Sequence, residues 1–169
     1  MSYCNIIQLE KYPIEETSRI SCDTIQDCED NKWFFVNVAD YVREDEESDE
    51  TIDAFINFLQ SFEPFVEVFS DEKEKWIVFK EGFTQAYFEN LYPQFEEALQ
   101  NLVKKTSVET LCKKYEMSGL IYPLRALSGD GIGTYVDNGE MGLISLPSFI
   151  RRIEPNVKYY IGSTVEYHC

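Results

Sequence analysis

Strand-like segments lie towards the two ends of the chain, and most segments with helical periodicity lie between them. The strand-like segments are rich in β-branched and aromatic residues and are bounded by Gly, Pro or short polar runs. The strand candidates are 3–9, 17–25, 32–38, 65–70, 75–80, 120–122, 132–136, 141–146 and 157–167. Strands that are grouped, rather than alternating with helices, predict an α+β fold with a mainly antiparallel sheet and two or three helices.

Helical periodicity is clearest after an acidic run. Apolar residues there recur on one helical face, at Ile52, Phe55, Ile56, Leu59 and Phe62. Acidic residues in the first turn suit the helix dipole, and Pro64 ends the pattern. A second helical region begins near Thr84, and Pro93 is expected to split it, to kink it or to start a new helix at its first position. A further short helix is expected to end at Gly119.

Two polar turns predict hairpins. The run 71–74 separates the strand candidates 65–70 and 75–80, although it lacks a glycine. The sequence Asp-Asn-Gly-Glu at 137–140 is a stronger signal, because Asn-Gly readily adopts the turn that joins antiparallel strands.

Charge is distributed unevenly along the chain. Residues 1–100 contain 24 acidic and 7 basic residues, a net charge of −17, whereas 101–169 contain 7 acidic and 8 basic residues, a net charge of +1. No linker rich in Gly, Ser or Pro separates the two segments, and 169 residues suit one domain. We therefore expect a single α+β domain over 1–169, in which an acidic segment covers 1–100 and a near-neutral segment covers 101–169.

The net charge of −16 argues against several kinds of partner. It disfavours direct binding to nucleic acid and to an anionic membrane surface. No apolar run approaches the roughly 20 residues that span a bilayer, and the first ten residues do not resemble a signal peptide. The five cysteines show no CxxC spacing and are expected to be reduced thiols. These features predict a cytoplasmic protein.

Sequence motifs that carry catalysis or bind metals are sparse. The one histidine, His168, is expected to lie in a solvated tail, and the acidic run 45–50 lacks the glycine of a calcium-binding loop. The glycines of 128–134 do not match a phosphate-binding pattern and precede a strand, so they predict a turn. We expect no catalytic residue, no metal and no cofactor.

The acidic segment is interleaved with aromatic residues, and its charge exceeds what solubility requires. A dense negative surface attracts a basic partner, and nearby aromatic side chains anchor it. In size, acidity and lack of a catalytic constellation, the chain is similar to inhibitor and immunity proteins that neutralise basic toxins; this similarity is compositional and covers no particular residues. The predicted contact residues are Glu44, Asp45, Glu46, Glu47, Asp49, Glu50 and Asp53, with Trp33, Tyr41 and Trp76 as anchors.

The first functional hypothesis is therefore a binding protein without catalysis. It would inhibit a basic protein, a nuclease-type toxin of a bacterial toxin–immunity pair, by covering its active or substrate-binding surface. The second hypothesis is a DNA mimic that inhibits a restriction or repair protein, which requires carboxylates spaced like phosphates along an extended surface. The third is a small carboxylate-dependent enzyme, or a protein that binds a phosphorylated ligand at 128–134 beside Arg125.

Overall fold

The structure, a computed structural model, describes residues 3–129, 131–140 and 142–168. Seven strands in these ranges form one sheet. They are β1 (Tyr3–Glu10), β2 (Tyr41–Glu44), β3 (Val66–Ser70), β4 (Lys75–Phe79), β5 (Tyr135–Asp137), β6 (Leu143–Ser145) and β7 (Lys158–His168). The helices are α1 (Cys22–Asp27), α2 (Lys32–Asn37), α3 (Ser48–Gln60), α4 (Phe83–Lys105), α5 (Val108–Leu111), α6 (Lys114–Ser128) and α7 (Leu146–Ile150), with short 3-10 turns at Glu16–Ser18 and Glu29–Asn31.

The longest strand, β7, organises the sheet. One edge of β7 pairs antiparallel with β1, and its other edge pairs with β4 over 158–161 and with β2 over 165–168. The strand order is β3–β4–β7–β1–β5–β6, with β2 beside β7. Among the described strands only β1 and β5 pair in parallel. The predicted α+β fold with a mainly antiparallel sheet is confirmed.

The sheet buries apolar side chains on both faces, since successive strand residues point to opposite sides. The first face, reached by Ile7 of β1 and Ile77 of β4, is covered by α3, α7 and the start of α4. The second face, reached by Ile6 of β1 and Tyr167 of β7, is covered by α1 and α2. We call these the α3 face and the α2 face.

Several sequence predictions agree with the structure. The helix expected after the acidic run is α3, which buries Ile52, Phe55 and Leu59. Both hairpins form, as the pairs β3–β4 and β5–β6. Three of the described α-helices, α3, α4 and α6, exceed ten residues, and the others have four to six.

Two predicted strands near the N-terminus are wrong. Residues 32–38 form helix α2, in which Phe34 is fully buried and packs edge-on against Tyr135 and Tyr167. A strand would turn Val36 towards the same side as Phe34, but Val36 is 81% exposed. Residues 17–25 also form no strand, because Ser21 and Thr24 form a capping box that starts α1.

The other correction concerns residues 94–128. The predicted strand 120–122 lies within α6, which continues through Gly119 instead of ending there. Helix α4 also continues through Pro93, but it buries Phe83 and Tyr87 before the proline and no residue after it. We call residues 94–128 the helical arm: the second half of α4, then α5 and α6, which pack mainly against one another.

Candidate protein-binding groove

A groove of about 500 Å³ runs beside the first half of α3. Ile7 of β1, Phe55 of α3 and Leu146 of α7 give it an apolar floor. Glu47 and Glu50 line its edge, and neither forms an ion pair within the residues that the structure describes. The other lining residues, Asn5, Thr51, Ala54, Phe58 and Thr134, include no base. The groove therefore combines apolar surface with two carboxylates that are not neutralised.

A buried polar contact fixes the start of α3 against the sheet. Asp45 Oδ2 accepts a hydrogen bond from the hydroxyl of Thr164 on β7 at 2.6 Å, and its Oδ1 accepts one from the Glu47 N–H at 3.0 Å. Thr164 Oγ1 also lies 2.8 Å from Ser48 Oγ. Because buried polar groups are costly unless hydrogen-bonded, these contacts hold Glu47 at the groove. Asp45, a predicted contact residue, is itself only 8% exposed and lies in the interior.

Two further predicted acids have partners within the chain. Glu44 accepts a hydrogen bond from the Cys22 N–H at 2.8 Å, at the start of α1. Asp53 forms an ion pair with Lys75 at 2.9 Å. Glu46 and Asp49 are exposed and form no ion pair in the described chain, although Asp49 lines a different pocket from Glu47 and Glu50. The predicted acidic run is therefore divided among three environments by the fold.

The pocket that holds Asp49 lies between α3 and the β3–β4 turn and has a volume of about 220 Å³. The turn contributes Asp71, Glu72 and Glu74, but Arg19, Lys73 and Lys75 also line the pocket. The N–H groups of Lys73 and Glu74 donate to Asp71 and hold the pKa of its carboxyl below the usual value. Positive side chains thus offset most of the negative charge here, in contrast to the groove.

Tyr41, one predicted anchor, lies on the same sheet face as the groove. Tyr3, Asn5 and Ile7 alternate onto one face of β1, and Asn5 and Ile7 line the groove. The Tyr41 hydroxyl lies 3.0 Å from that of Tyr3, a contact that raises the pKa of Tyr41. The Tyr41 ring stacks on His168 with centroids 5.1 Å apart. Tyr41 is 44% exposed and extends the α3 face beyond the groove.

His168 is not in a solvated tail, contrary to the sequence prediction. It pairs with Tyr3 of β1 and Tyr41 of β2 at the end of β7. Its Nδ1 lies 3.2 Å from Asp40 Oδ2. The strand continues this far because β1 and β2 supply hydrogen-bonding partners on both of its edges.

Trp33 and Trp76, the other predicted anchors, lie away from the groove. Trp33 of α2 is 45% exposed and contacts Tyr135 on the α2 face. Trp76 of β4 lies next to the buried Ile77 in sequence and therefore points to the face opposite to α3. It stacks on Phe69 with centroids 5.7 Å apart, and Lys158 Nζ lies 4.8 Å from its ring centroid. The fold thus separates the two tryptophans from Glu47 and Glu50.

The glycine-rich loop follows the C-terminus of α6, where Gly129 has a φ of 101°. A helix C-terminus carries partial negative charge and disfavours an anion, whereas phosphate loops open into a helix N-terminus. The Gly133 N–H donates to the Tyr167 hydroxyl at 2.9 Å, and that hydroxyl donates to the Gly133 carbonyl at 2.6 Å. The Arg151 guanidinium donates to the Ser128 carbonyl at 2.9 Å. Asp130, in the middle of this loop, lies outside the described residues.

Three further features bear on possible chemistry. Within residues 3–129, 131–140 and 142–168, no three His, Cys, Asp or Glu side chains form a group suited to a metal ion. Cys4, Cys22, Cys28 and Cys112 are free thiols, and Cys169 lies outside the described ranges. In those same ranges no helix has both the length and the apolarity that crossing a bilayer requires.

The sequence pattern indicated the acids of the groove but not its floor. Ile7, Phe55 and Leu146 come from three distant segments, and each reads locally as an ordinary core residue. Thr164 carries no signal either, because its contact with Asp45 spans 119 residues. One local pattern does carry a signal: Tyr3, Asn5 and Ile7 alternate along β1 and therefore share a face of the sheet. Asn5 and Ile7 line the groove and Tyr3 contacts Tyr41, so this alternation places Tyr41 on the same face as the groove.

Comparisons of the chain with family models, with curated proteins and with solved structures find no match.

Proposed function

We propose that this chain is an inhibitor that binds a basic protein at the groove beside α3 and that its target is a nuclease-type bacterial toxin. The observation that carries the proposal is the placement of Glu47 and Glu50 at the edge of an apolar groove, without basic neighbours among its lining residues. A partner that inserts an apolar side chain between two Lys or Arg residues fits this combination. Its basic active surface is then covered, which is how an immunity protein acts.

Physical arguments support this mode of binding. The net charge of −17 over residues 1–100 speeds the encounter with a basic protein. Glu47 and Glu50 then pair with its cations, and desolvation by the apolar floor strengthens those contacts. Tyr41 lies on the same face and supplies an aromatic contact at the rim. Glu46, exposed next to Glu47, adds to the attraction without being held in the groove.

The spacing of the free acids favours this proposal over DNA mimicry. Residues 47–50 span only about 5 Å along a helix axis, at a rise of ~1.5 Å per residue. DNA repeats a charge every ~3.4 Å along each strand over the whole of a binding site. Bases also interrupt the neighbouring acidic pocket, at Arg19, Lys73 and Lys75. The acids at the groove therefore form a compact patch.

The test uses the native host and this chain as bait. Proteins retained at low salt are identified by mass spectrometry, and the basic protein recovered is assayed for cleavage of nucleic acid with and without an equimolar amount of this chain. We expect a single basic protein, an inhibited nuclease and weaker binding at high salt, because screening reduces exposed charge pairing.

A matched pair of variants locates the contact. The double variant Glu47→Gln/Glu50→Gln removes two charges from the groove and is expected to weaken binding by at least roughly tenfold, which corresponds to ~1.4 kcal/mol. Glu15→Gln/Glu16→Gln removes two charges from exposed residues that do not line the groove and is the control. Equal affinity of both double variants, or a captured nuclease that stays active, contradicts the proposal.

A further inference from the structure

The helical arm exposes an unusual amount of apolar surface. Of the fifteen large apolar or aromatic side chains that are exposed in the described chain, seven belong to residues 99–122. They are Leu99, Val103, Val108, Leu111, Tyr115, Ile121 and Tyr122. Val103 is 72% exposed and Tyr115 is 91% exposed. Exposed apolar residues that are scattered singly need no explanation, but a concentration of this kind marks an interaction surface.

These side chains are arranged in helical stripes. Leu99 and Val103, four residues apart, share one face of α4, and Val108 and Leu111, three residues apart, share one face of α5. Among the residues of α6 whose side chains the structure describes, none is buried. An amphipathic helix normally gains its stability by burying such a stripe. The arm therefore presents faces that a packed partner would cover.

Charge identifies the partner that suits this surface. Residues 94–128 contain four acidic and five basic residues, a net charge of +1. The total charge is −16, so the residues outside the arm carry a net charge of −17. A strongly basic protein is drawn to the rest of the chain rather than to the arm. Two copies of this chain repel each other strongly through residues 1–93, which carry a net charge of −15, and this repulsion is avoided where their near-neutral, apolar arms meet. We infer that the arm pairs with the arm of a second copy.

The geometry of this pairing follows from the way the helices of the arm pack. Helices α4 and α6 already pack against each other, so two arms related by a twofold axis bring four helices together. Val103 of each copy is then buried, with Leu99 beside it. The groove beside α3 belongs to a different region of the molecule, lined by no residue of the arm, and stays accessible. The dimer is thus independent of the proposed inhibition.

The test is the mass of the purified full chain by light scattering after gel filtration, over a series of concentrations. We expect twice the monomer mass at high concentration, with dimerisation unchanged or strengthened by high salt because the contact is apolar. Binding of a basic protein at the groove is instead weakened by salt, so the two proposals fail separately. A monomer at every concentration overturns the inference.

Three substitutions at exposed valines locate the interface. Val103→Glu is expected to weaken dimerisation at least tenfold, since pairing would bury an unpaired charge. Val103→Leu keeps the surface apolar and is expected to preserve the dimer. Val36→Glu, at a valine that is 81% exposed on α2, is the matched control and is expected to dimerise like the unaltered chain. Circular dichroism verifies that each variant folds.

Two results of this series overturn the inference. One is a dimer that Val103→Glu and Val36→Glu weaken equally, which places the contact outside the arm. The other is a monomeric chain that binds vesicles of neutral phosphatidylcholine and loses that binding in Val103→Glu, which makes the apolar arm a lipid-binding surface instead.

Discussion

The sheet and the helical arm both contain regularly spaced apolar residues but differ in what they bury. On the sheet, Ile6, Leu9, Ile77 and Val165 are all fully buried between helices on the two faces. On the arm, Leu99 and Val103 of α4 are 44% and 72% exposed, although they are four residues apart, like the buried Phe55 and Leu59 of α3. Periodicity therefore identifies a helix and its apolar side, but it does not tell whether this chain or another covers that side.

Pro93 lies where one region passes into the other. Before it, Phe83 and Tyr87 of α4 pack with Phe62 in the core. After it, the same helix lies beside α6, and residues 94–105 of α4 line a pocket together with residues of α6. Because proline has no backbone N–H, α4 lacks one helical hydrogen bond at Pro93, which is the boundary between the two regions. The core and the arm are joined by a continuous helix but are stabilised by different contacts.

The largest difference is expected for one substitution made in both regions. Leu59→Ala on α3 leaves a cavity at a fully buried side chain and is expected to cost about 2–5 kcal/mol. Leu111→Ala on α5 removes a side chain that is 61% exposed and is expected to cost less than ~1 kcal/mol. Urea unfolding, at a concentration where the chain is monomeric, measures both. Equal losses of stability show that the arm is as tightly packed as the sheet.

Replacing glycine by alanine is expected to have opposite signs in the two regions. A Cβ at Gly162 of β7 would meet Gln8, which is 1% exposed and whose amide bonds the Ser18 carbonyl at 2.8 Å and the Ile20 N–H at 3.1 Å. Because Gln8 is held in place, Gly162→Ala is expected to cost about 1–3 kcal/mol. Urea unfolding measures this loss, and an unchanged midpoint contradicts it.

At Gly119 of α6 the same change meets open space, since no atom beyond the adjoining residues and the backbone of the helix itself lies within 4 Å of the added Cβ. Alanine is the better helix former by ~1 kcal/mol, so Gly119→Ala is expected to slow hydrogen exchange in α6 by up to roughly fivefold. Exchange in β7 serves as the control and is expected to be unchanged. Faster exchange in α6 of the variant contradicts an arm with free space at Gly119.

These comparisons also explain which elements of the fold were predictable. Helix α3 is predictable because its periodicity from Ile52 to Phe62 is local. The two hairpins are predictable because the polar turns 71–74 and 137–140 mark them in the sequence. Residues 32–38 are equally apolar, but Phe34 takes its conformation from Tyr135 and Tyr167, which lie over 100 residues away. Local pattern fails where distant packing decides the structure.

The candidate site also contains residues that the sequence could predict and residues whose role only the fold decides. Charge along the chain indicated Glu47 and Glu50, because acidic density is visible in the sequence. It also indicated Asp45, which the fold buries against Thr164. The aromatic pattern indicated Trp76, which lies on the opposite face of the sheet from α3. Whether an acid is free or bound depends on contacts with β7 and α1, and those contacts depend on the topology of the sheet.

A difference in stability is also expected when two tyrosines, one in each region, lose their hydroxyls. Tyr167 is fully buried, and its hydroxyl bonds both the N–H and the carbonyl of Gly133, where the chain returns from the arm to the sheet. Tyr167→Phe leaves those groups unsatisfied and is expected to cost about 1–3 kcal/mol. Tyr115→Phe, at a side chain 91% exposed on the arm, is expected to change stability by less than ~0.5 kcal/mol. Thermal or urea unfolding that shifts equally for both contradicts this assignment.

The smallest expected effect concerns two thiols and requires no loss of stability. The Glu44 carboxylate beside Cys22, together with burial, raises the pKa of that thiol to about 11, whereas Cys112 is exposed between α5 and α6. Alkylation needs the thiolate, and at pH 8 a thiol with this pKa is only roughly 0.1% ionised. Cys22 is therefore expected to react more slowly than Cys112 at pH 8, and its rate to keep rising up to about pH 11.

Mass spectrometry of alkylated peptides measures the two rates in one sample. Glu44→Gln removes the negative charge next to the thiol, so the pKa of Cys22 falls and its alkylation at pH 8 is expected to become faster, while Cys112 is unaffected. In denaturant the two thiols are expected to react alike, because the carboxylate is no longer held beside Cys22. If Cys22 reacts as fast as Cys112 in the folded chain, the Glu44 carboxylate is not held beside Cys22, and one more exposed acid is as free to bind a partner as Glu46, Glu47 and Glu50.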